Sequence, residues 1–230
     1  MSLKYELTDK IFNYNGHVLH RIKKLDTGEL GGWVESEENL SQEGSCWIYD
    51  EAKVYDTASV QDNAKIYDFV ELSGGARIFD NAKAYNHVKL MHQSKVYGNA
   101  EIFDHVIIDN LGRAHGNAKI YHHVKILDWG EVKDNAKIYN HVRISGCSKV
   151  YDNAEVFDFV KLYNWAKIYE NAKLHDFVEV GDQAQIYGNA QLFNNSKIDG
   201  HTEIRDNTHI YSTEIIFNKK RKKKEGKSNA

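Results

Sequence analysis

The chain contains no proline. Proline cannot donate to a backbone ladder and is confined to edges and bulges of sheets. Its absence from 230 residues therefore fits a protein built from interior strands that use every N–H. Cysteine is nearly absent as well, with only Cys46 and Cys147. No run approaches the roughly 18 apolar residues of a membrane-spanning helix. The N-terminal MSLKYELTDK lacks the apolar stretch of a signal peptide. These absences point to a cytoplasmic protein with no disulfide framework and no membrane association.

What is present is a repeat. From Ser45 to about Ser212 the chain reads as 28 uninterrupted six-residue units, beginning SCWIYD, EAKVYD, TASVQD, NAKIYD. Position 2 is small or Val, position 4 is Ile, Val or Leu, and position 6 is mostly Asp, Asn or Gly. The units group in threes. Asn recurs every 18 residues, at 63, 81, 99, 117, 135, 153, 171 and 189, each time before Ala. The second unit opens with Phe69, His87, His105, His123, His141, Phe159 and Phe177, and the third with residues such as Leu111, Trp129, Cys147 and Trp165. Three six-residue sides per turn make a triangular prism of parallel strands. Positions 2 and 4 point inward, 3 and 5 outward. Position 6 and the Asn at position 1 suit corners, where the chain visits positive φ. The mean hydropathy of -0.62 follows, because a thin prism buries only two side chains per unit. At a coil spacing of about 4.8 Å the two cysteines lie about 27 Å apart and cannot pair within one chain.

An aliphatic residue followed four positions later by a small one, as in Ile66/Val70 and Ile138/Val142, resembles the hexapeptide-repeat proteins. That resemblance implies an all-β fold, a single-stranded left-handed parallel β-helix of about nine coils. The repeat forms residues 45–217, preceded by a cap at 1–44 and followed by a basic tail at 218–230. In the cap, Lys4–Leu7, Ile11–Tyr14 and His17–Ile22 read as strands, and Asn15-Gly16 signals a type I′ hairpin turn. KYELTD, LGGWVESEENLSQEG and the NAKIY-type repeats together are similar to a group of bacterial and phage-borne β-helix proteins. The tail carries Lys219, Lys220, Arg221, Lys222, Lys223, Lys224 and Lys227 against Glu225, which leaves 23 basic and 32 acidic residues in the body. A block of like charge reads as disordered and solvated. Its sharper reading is salt-dependent contact with nucleic acid or an acidic protein face.

Four groups of residues are candidates for function. His87, His105, His123 and His141 stack on one corner, where adjacent imidazoles offer metal ligands. Phe69, Phe159 and Phe177 share that column, so it also reads as an aromatic ladder. The segment His92-Gln-Ser-Lys-Val-Tyr97-Gly is similar to the zinc segment of γ-class carbonic anhydrases, but Tyr97 stands where the second histidine belongs. On the first side, Lys65, Lys83, Lys119 and Lys137 beside Tyr67, Tyr85, Phe103, Tyr121 and Tyr139 suggest a surface for single-stranded nucleic acid. On the second side, Met91, Ile107, Leu127 and Tyr163 with Leu111, Trp129, Cys147 and Trp165 read as one apolar strip. Contiguous exposed apolar surface marks an interface.

The most common enzymes with this repeat are acyltransferases, and the resemblance implies trimers using acyl-CoA and a histidine base. They break the helix with an excursion loop, which this repeat lacks. No histidine here has a partner constellation for base catalysis. The residues thus favour a non-enzymatic binding protein without cofactor or metal. Its expected partner is a protein, first of all a second copy in a dimer or trimer. By association with the phage-borne look-alikes, a factor that blocks a host enzyme or defence complex inside a bacterial cell is one version.

Overall fold

The computed structural model describes residues 3–211, 213 and 215–217. They form a parallel β-solenoid of about ten coils. Each side of a coil contributes a short strand, as in Lys65–Ile66, Glu71–Leu72 and Arg77–Ile78. These pair in parallel register with Lys83, Lys89 and Lys95, each one coil further on. The strands stack into three sheets of ten, thirteen and nine members, here the first, second and third sides.

Positions 2 and 4 fill the interior. Ala64, Ile66, Val70, Leu72, Ala76 and Ile78, one complete coil, are wholly buried. Position 2 is small because it lies beside a corner, where two sides converge. Each fully buried Val, Leu or Ile contributes about 1.5–3 kcal/mol. At Ser148 and Thr202 the position 2 hydroxyl bonds the carbonyl three residues back, Ser148 Oγ to Ser145 (2.8 Å) and Thr202 Oγ1 to Asp199 (2.6 Å), whereas the buried Ser94 Oγ has no partner among the described residues.

The corners follow two rules. Position 6 takes positive φ, as at Asp62 (56°), Asp80 (56°) and Asp134 (59°). An aspartate there also accepts the backbone N–H of the next coil, as Asp56 does from Gly74 (2.8 Å) and Asp80 from Gly98 (2.9 Å). The asparagines at position 1 were expected at positive φ too, and this is corrected: none of them has it. They work through their side chains. Nδ2 of each donates to Oδ1 of the next from Asn63 to Asn207, at 3.0–3.4 Å. The amide is chosen because it donates and accepts at once.

The N-terminus folds as a hairpin of β1 (Tyr5–Tyr14) and β2 (His17–Lys24), with Asn15 and Gly16 both at positive φ as the turn type demands. The two strand segments expected in β1 are one strand with a bulge between Leu7 and Ile11. Strand β3 (Leu30–Val34) pairs antiparallel with β2 and parallel with Lys53–Val54. Leu40 bridges in parallel to Val60. Parallel stacking therefore starts before Ser45, in a coil whose hexad spacing is lost. Asn39 holds that coil: its Nδ2 donates to the carbonyls of Asp56 and Ala58, and its Oδ1 accepts from Glu35 and Ser36. Tyr5, Leu19, Ile22 and Trp47 close the end of the core. No helix among the described residues is long and apolar enough to cross a membrane. The basic residues Lys219–Lys224 lie outside the described residues.

Candidate functional site

The second side separates residues that the sequence joined. Met91, Ile107, Leu111, Leu127 and Tyr163 are half-buried, while Trp129 and Trp165 are 55% and 58% exposed. The expected single apolar strip is divided. Position 3 also points outward, and there the exposed Lys89, Lys125, Arg143 and Lys161 run between the tryptophan edge and the histidine/phenylalanine edge. Only Ile107 interrupts that charged row. Tyr163 is tied down rather than presented. Its hydroxyl donates to Asp199 Oδ1 at 2.5 Å, and its ring lies where a side chain at Gly181 would otherwise stand.

What remains at the edge between the second and third sides is a pair of indoles in alternate coils, with half-buried Cys147 between them. Grooves flank both. One of about 130 Å³ is lined by Arg113, Trp129, Glu131, Cys147 and Lys149, and one of about 320 Å³ by Trp165, Lys167, Gln183 and Gln185. Arg113 lies over the Trp129 ring at 6.0 Å from its centroid. Leu111 adopts φ of 73°, a conformation that costs a bulky residue energy and that Asn or Gly usually takes.

The histidine column is a ring ladder. Phe69, His87, His105, His123, His141, Phe159 and Phe177 stack with centroids 4.9–5.1 Å apart and planes within 16°. Parallel rings at that distance hold neighbouring nitrogens equally far apart. One ion binding two nitrogens at about 2.0–2.1 Å needs them closer than that, so the stack as it stands does not chelate. His123 is held below its ordinary pKa, first by lost hydration between its neighbours and then by the charges of His105, His141 and His122; Asp104 opposes this. A histidine depressed in the folded state is neutral there at a pH where the unfolded chain takes a proton. Its stability contribution is full above the unfolded-state value of about 6.5 and is lost as pH falls from there through the lower folded-state value. The melting temperature should therefore drop between pH 7 and pH 5. Replacing His105, His123 and His141 by phenylalanine, which the column already uses, should shrink that drop. An equal drop in the variant, followed by circular dichroism, would sink this account.

The first side carries the lysines and rings of the nucleic-acid expectation, packed as a ladder. Tyr85, Phe103, Tyr121, Tyr139, Phe157, His175 and Phe193 stack face to face at 4.8–5.0 Å. Within the ladder each ring face is covered by the next ring. Lys119 and Lys173 turn to Glu101 and Glu155, at 3.5 and 3.1 Å. The third side, which gave no signal in the sequence reading, carries Arg77, Lys95, Arg113, Lys149 and Lys167 along one row. Glu131 interrupts it, held down to about 2 by its hydrogen bond to His115 and by Lys149, against its burial. The segment similar to the carbonic anhydrases is used otherwise. His92 pairs with Asp109, and Tyr97 stacks between Phe79 and His115.

Two trios among the described residues bring ligand atoms within 4.8 Å, His17/Glu35/Asp56 and Asp158/His175/Asp176. Both already serve the fold. Glu35 accepts from Asp56 N and joins His17 of the hairpin to the solenoid, and Asp176 accepts the corner N–H of Asn194. No protein-family model matches the chain and no curated protein is similar to it, so the likeness to hexapeptide-repeat proteins rests on the hexads themselves.

Proposed function

We propose that the protein is a non-enzymatic binding rod, wound left-handed as the hexads suggest, that self-associates through the edge bearing Trp129 and Trp165. The observation that carries this is the exposure of two large indoles that stack on no other ring among the described residues. The rings of the ladders stabilise the coils by stacking across strands; among the described residues these two join no ring stack, and Trp129 meets only the guanidinium of Arg113. Exposed tryptophans beside an arginine are the composition of interface hot spots.

The pattern is self-complementary. A twofold axis passing between the Cys147 and Trp165 coils, perpendicular to the rod, would set each Trp165 over the partner subunit's Cys147. Such an isologous contact closes as a dimer. The test is molar mass by light scattering for the wild type and for Trp129→Glu/Trp165→Glu. A dimer that becomes a folded monomer supports the reading. A wild type that is already a monomer defeats self-association and leaves the edge to a different protein. A trimer would favour the acyltransferase reading instead.

A further inference from the structure

The third side carries a row of cations that the core does not use. Its position 3 residues in three consecutive coils are Arg77, Lys95 and Arg113, the first exposed and the other two half-buried. At a coil spacing of about 4.8 Å they form a straight line about 10 Å long. The row resumes with Lys149 and Lys167 beyond Glu131. Among the described residues no carboxylate pairs with Arg77, Lys95 or Arg113.

The other two sides treat their cations differently. On the first, Lys119 and Lys173 are held by Glu101 and Glu155. On the second, Lys89, Lys161 and Lys197 are held by Glu71, Glu179 and Asp199. The corners beside the three third-side cations differ as well. One carries Gly74, His92 and Asn110, and the other Asp80, Gly98 and Gly116. Only Asp80 of these six is acidic, and it already accepts the Gly98 N–H at 2.9 Å. In a body of 32 acidic and 23 basic residues, three successive cations are left almost without counter-charge.

The missing carboxylates also leave donors behind. Along this corner a position 6 carboxylate accepts the N–H one coil on, as Asp62 does from Asp80 and Asp152 from Glu170, both at 3.1 Å. Gly98 and Gly116 have none to offer. Among the described residues, the N–H groups of Gly116 and Asp134 therefore meet no carboxylate. Both residues turn at positive φ, 70° and 59°. Backbone N–H groups at such turns favour anions.

A partner for this strip must supply negative charge at regular intervals along a line. Two of the three cations are arginines, whose planar fork matches phosphate. A rigid face of fixed pitch suits a chain of uniform charge better than an irregular acidic protein surface, and a flexible single strand can adjust its phosphates to that pitch. We propose that the third side, through Arg77, Lys95 and Arg113, binds the phosphodiester backbone of single-stranded nucleic acid laid along the rod.

The experiment is fluorescence anisotropy of a labelled oligothymidylate of about 15 nucleotides, titrated with the full chain at about 50 mM salt. Arg77→Gln/Lys95→Gln is compared with Lys65→Gln/Lys83→Gln on the first side. Both rows already hold glutamine, at Gln185 and Gln191, and circular dichroism checks that the fold is kept. Each pair removes two positive charges and leaves Lys219–Lys224 in place, so the tail contributes equally to both. Arg113 is untouched because it also lies over Trp129. The third-side pair should weaken binding at least tenfold and lower the salt slope by about 1.4, two contacts at about 0.7 each. The first-side pair should weaken it less than threefold. Equal losses in the two pairs would show attraction to overall charge and overturn the proposal, as would absence of saturable binding by the wild type. Stronger competition by poly-glutamate or by a duplex of equal length would overturn it in favour of an acidic protein or of paired strands. Light scattering of the third-side pair reads self-association separately, so either reading can fail with the other intact.

Discussion

Deleting residues 117–134 should leave a folded protein one coil shorter, whereas deleting 117–125 should abolish folding of everything beyond the cut. The full deletion joins Gly116 to Asn135, so position 6 still meets position 1 and every column stays in register. It removes one set of inward side chains and one coil contact, which in a solenoid subtracts one nearest-neighbour term. The half deletion joins Gly116 to Ile126. Leu127 and Trp129 are then forced inward, and the buried Ile126 moves to a corner. A shift of odd length turns a strand's inner set outward. Far-ultraviolet circular dichroism and thermal melting distinguish the two. The longer deletion should melt cooperatively, a few degrees below the wild type. The shorter should lose most β signal from residues 126–217. If both deletions unfold the chain alike, the coils are not interchangeable units.

The second large effect concerns a corner. Asp80→Val should destabilise the protein by about 2–4 kcal/mol. The residue sits at φ 56°, which a β-branched side chain resists at a cost of about 1–2 kcal/mol. Its carboxylate accepts Gly98 N at 2.9 Å, and leaving that donor unmet adds about 1–3 kcal/mol when it is shielded from water. Asp80→Gly loses the hydrogen bond but not the geometry, so it should fall between wild type and valine. Asp80→Asn keeps both and should cost under about 1 kcal/mol. Urea midpoints give the order. Equal losses for valine and glycine would show that backbone strain contributes nothing.

The regular part of this molecule could be read because period, parity and corner chemistry all repeat: Ile66, Ile138 and Asp80 declare their places from sequence. The first coil could not. Asn39 replaces a hexad's corner with four side-chain hydrogen bonds, a tertiary arrangement without local pattern. The exposed tryptophan edge was half legible. Trp129 and Trp165 stood out by type, but the reading counted Met91, Leu127 and Tyr163 without the charged row beside them. The bond from Tyr163 to Asp199 crosses two coils, over Gly181, and no spacing announces it.

The register of the ladders bears on how fast the chain finds its fold. Pairing partners from the second coil onward are 18 residues apart, as Lys83 and Glu101 are. Divided by chain length, that separation is about 0.08, a relative contact order characteristic of helical bundles and far below that of sandwiches and barrels. An all-β protein of this size is usually slow to fold, because distant strands must meet before anything is gained. Here each turn closes only on the one before it. The hairpin and first coil precede the later coils in the chain and offer a finished edge, so those coils can add one at a time as they leave the ribosome.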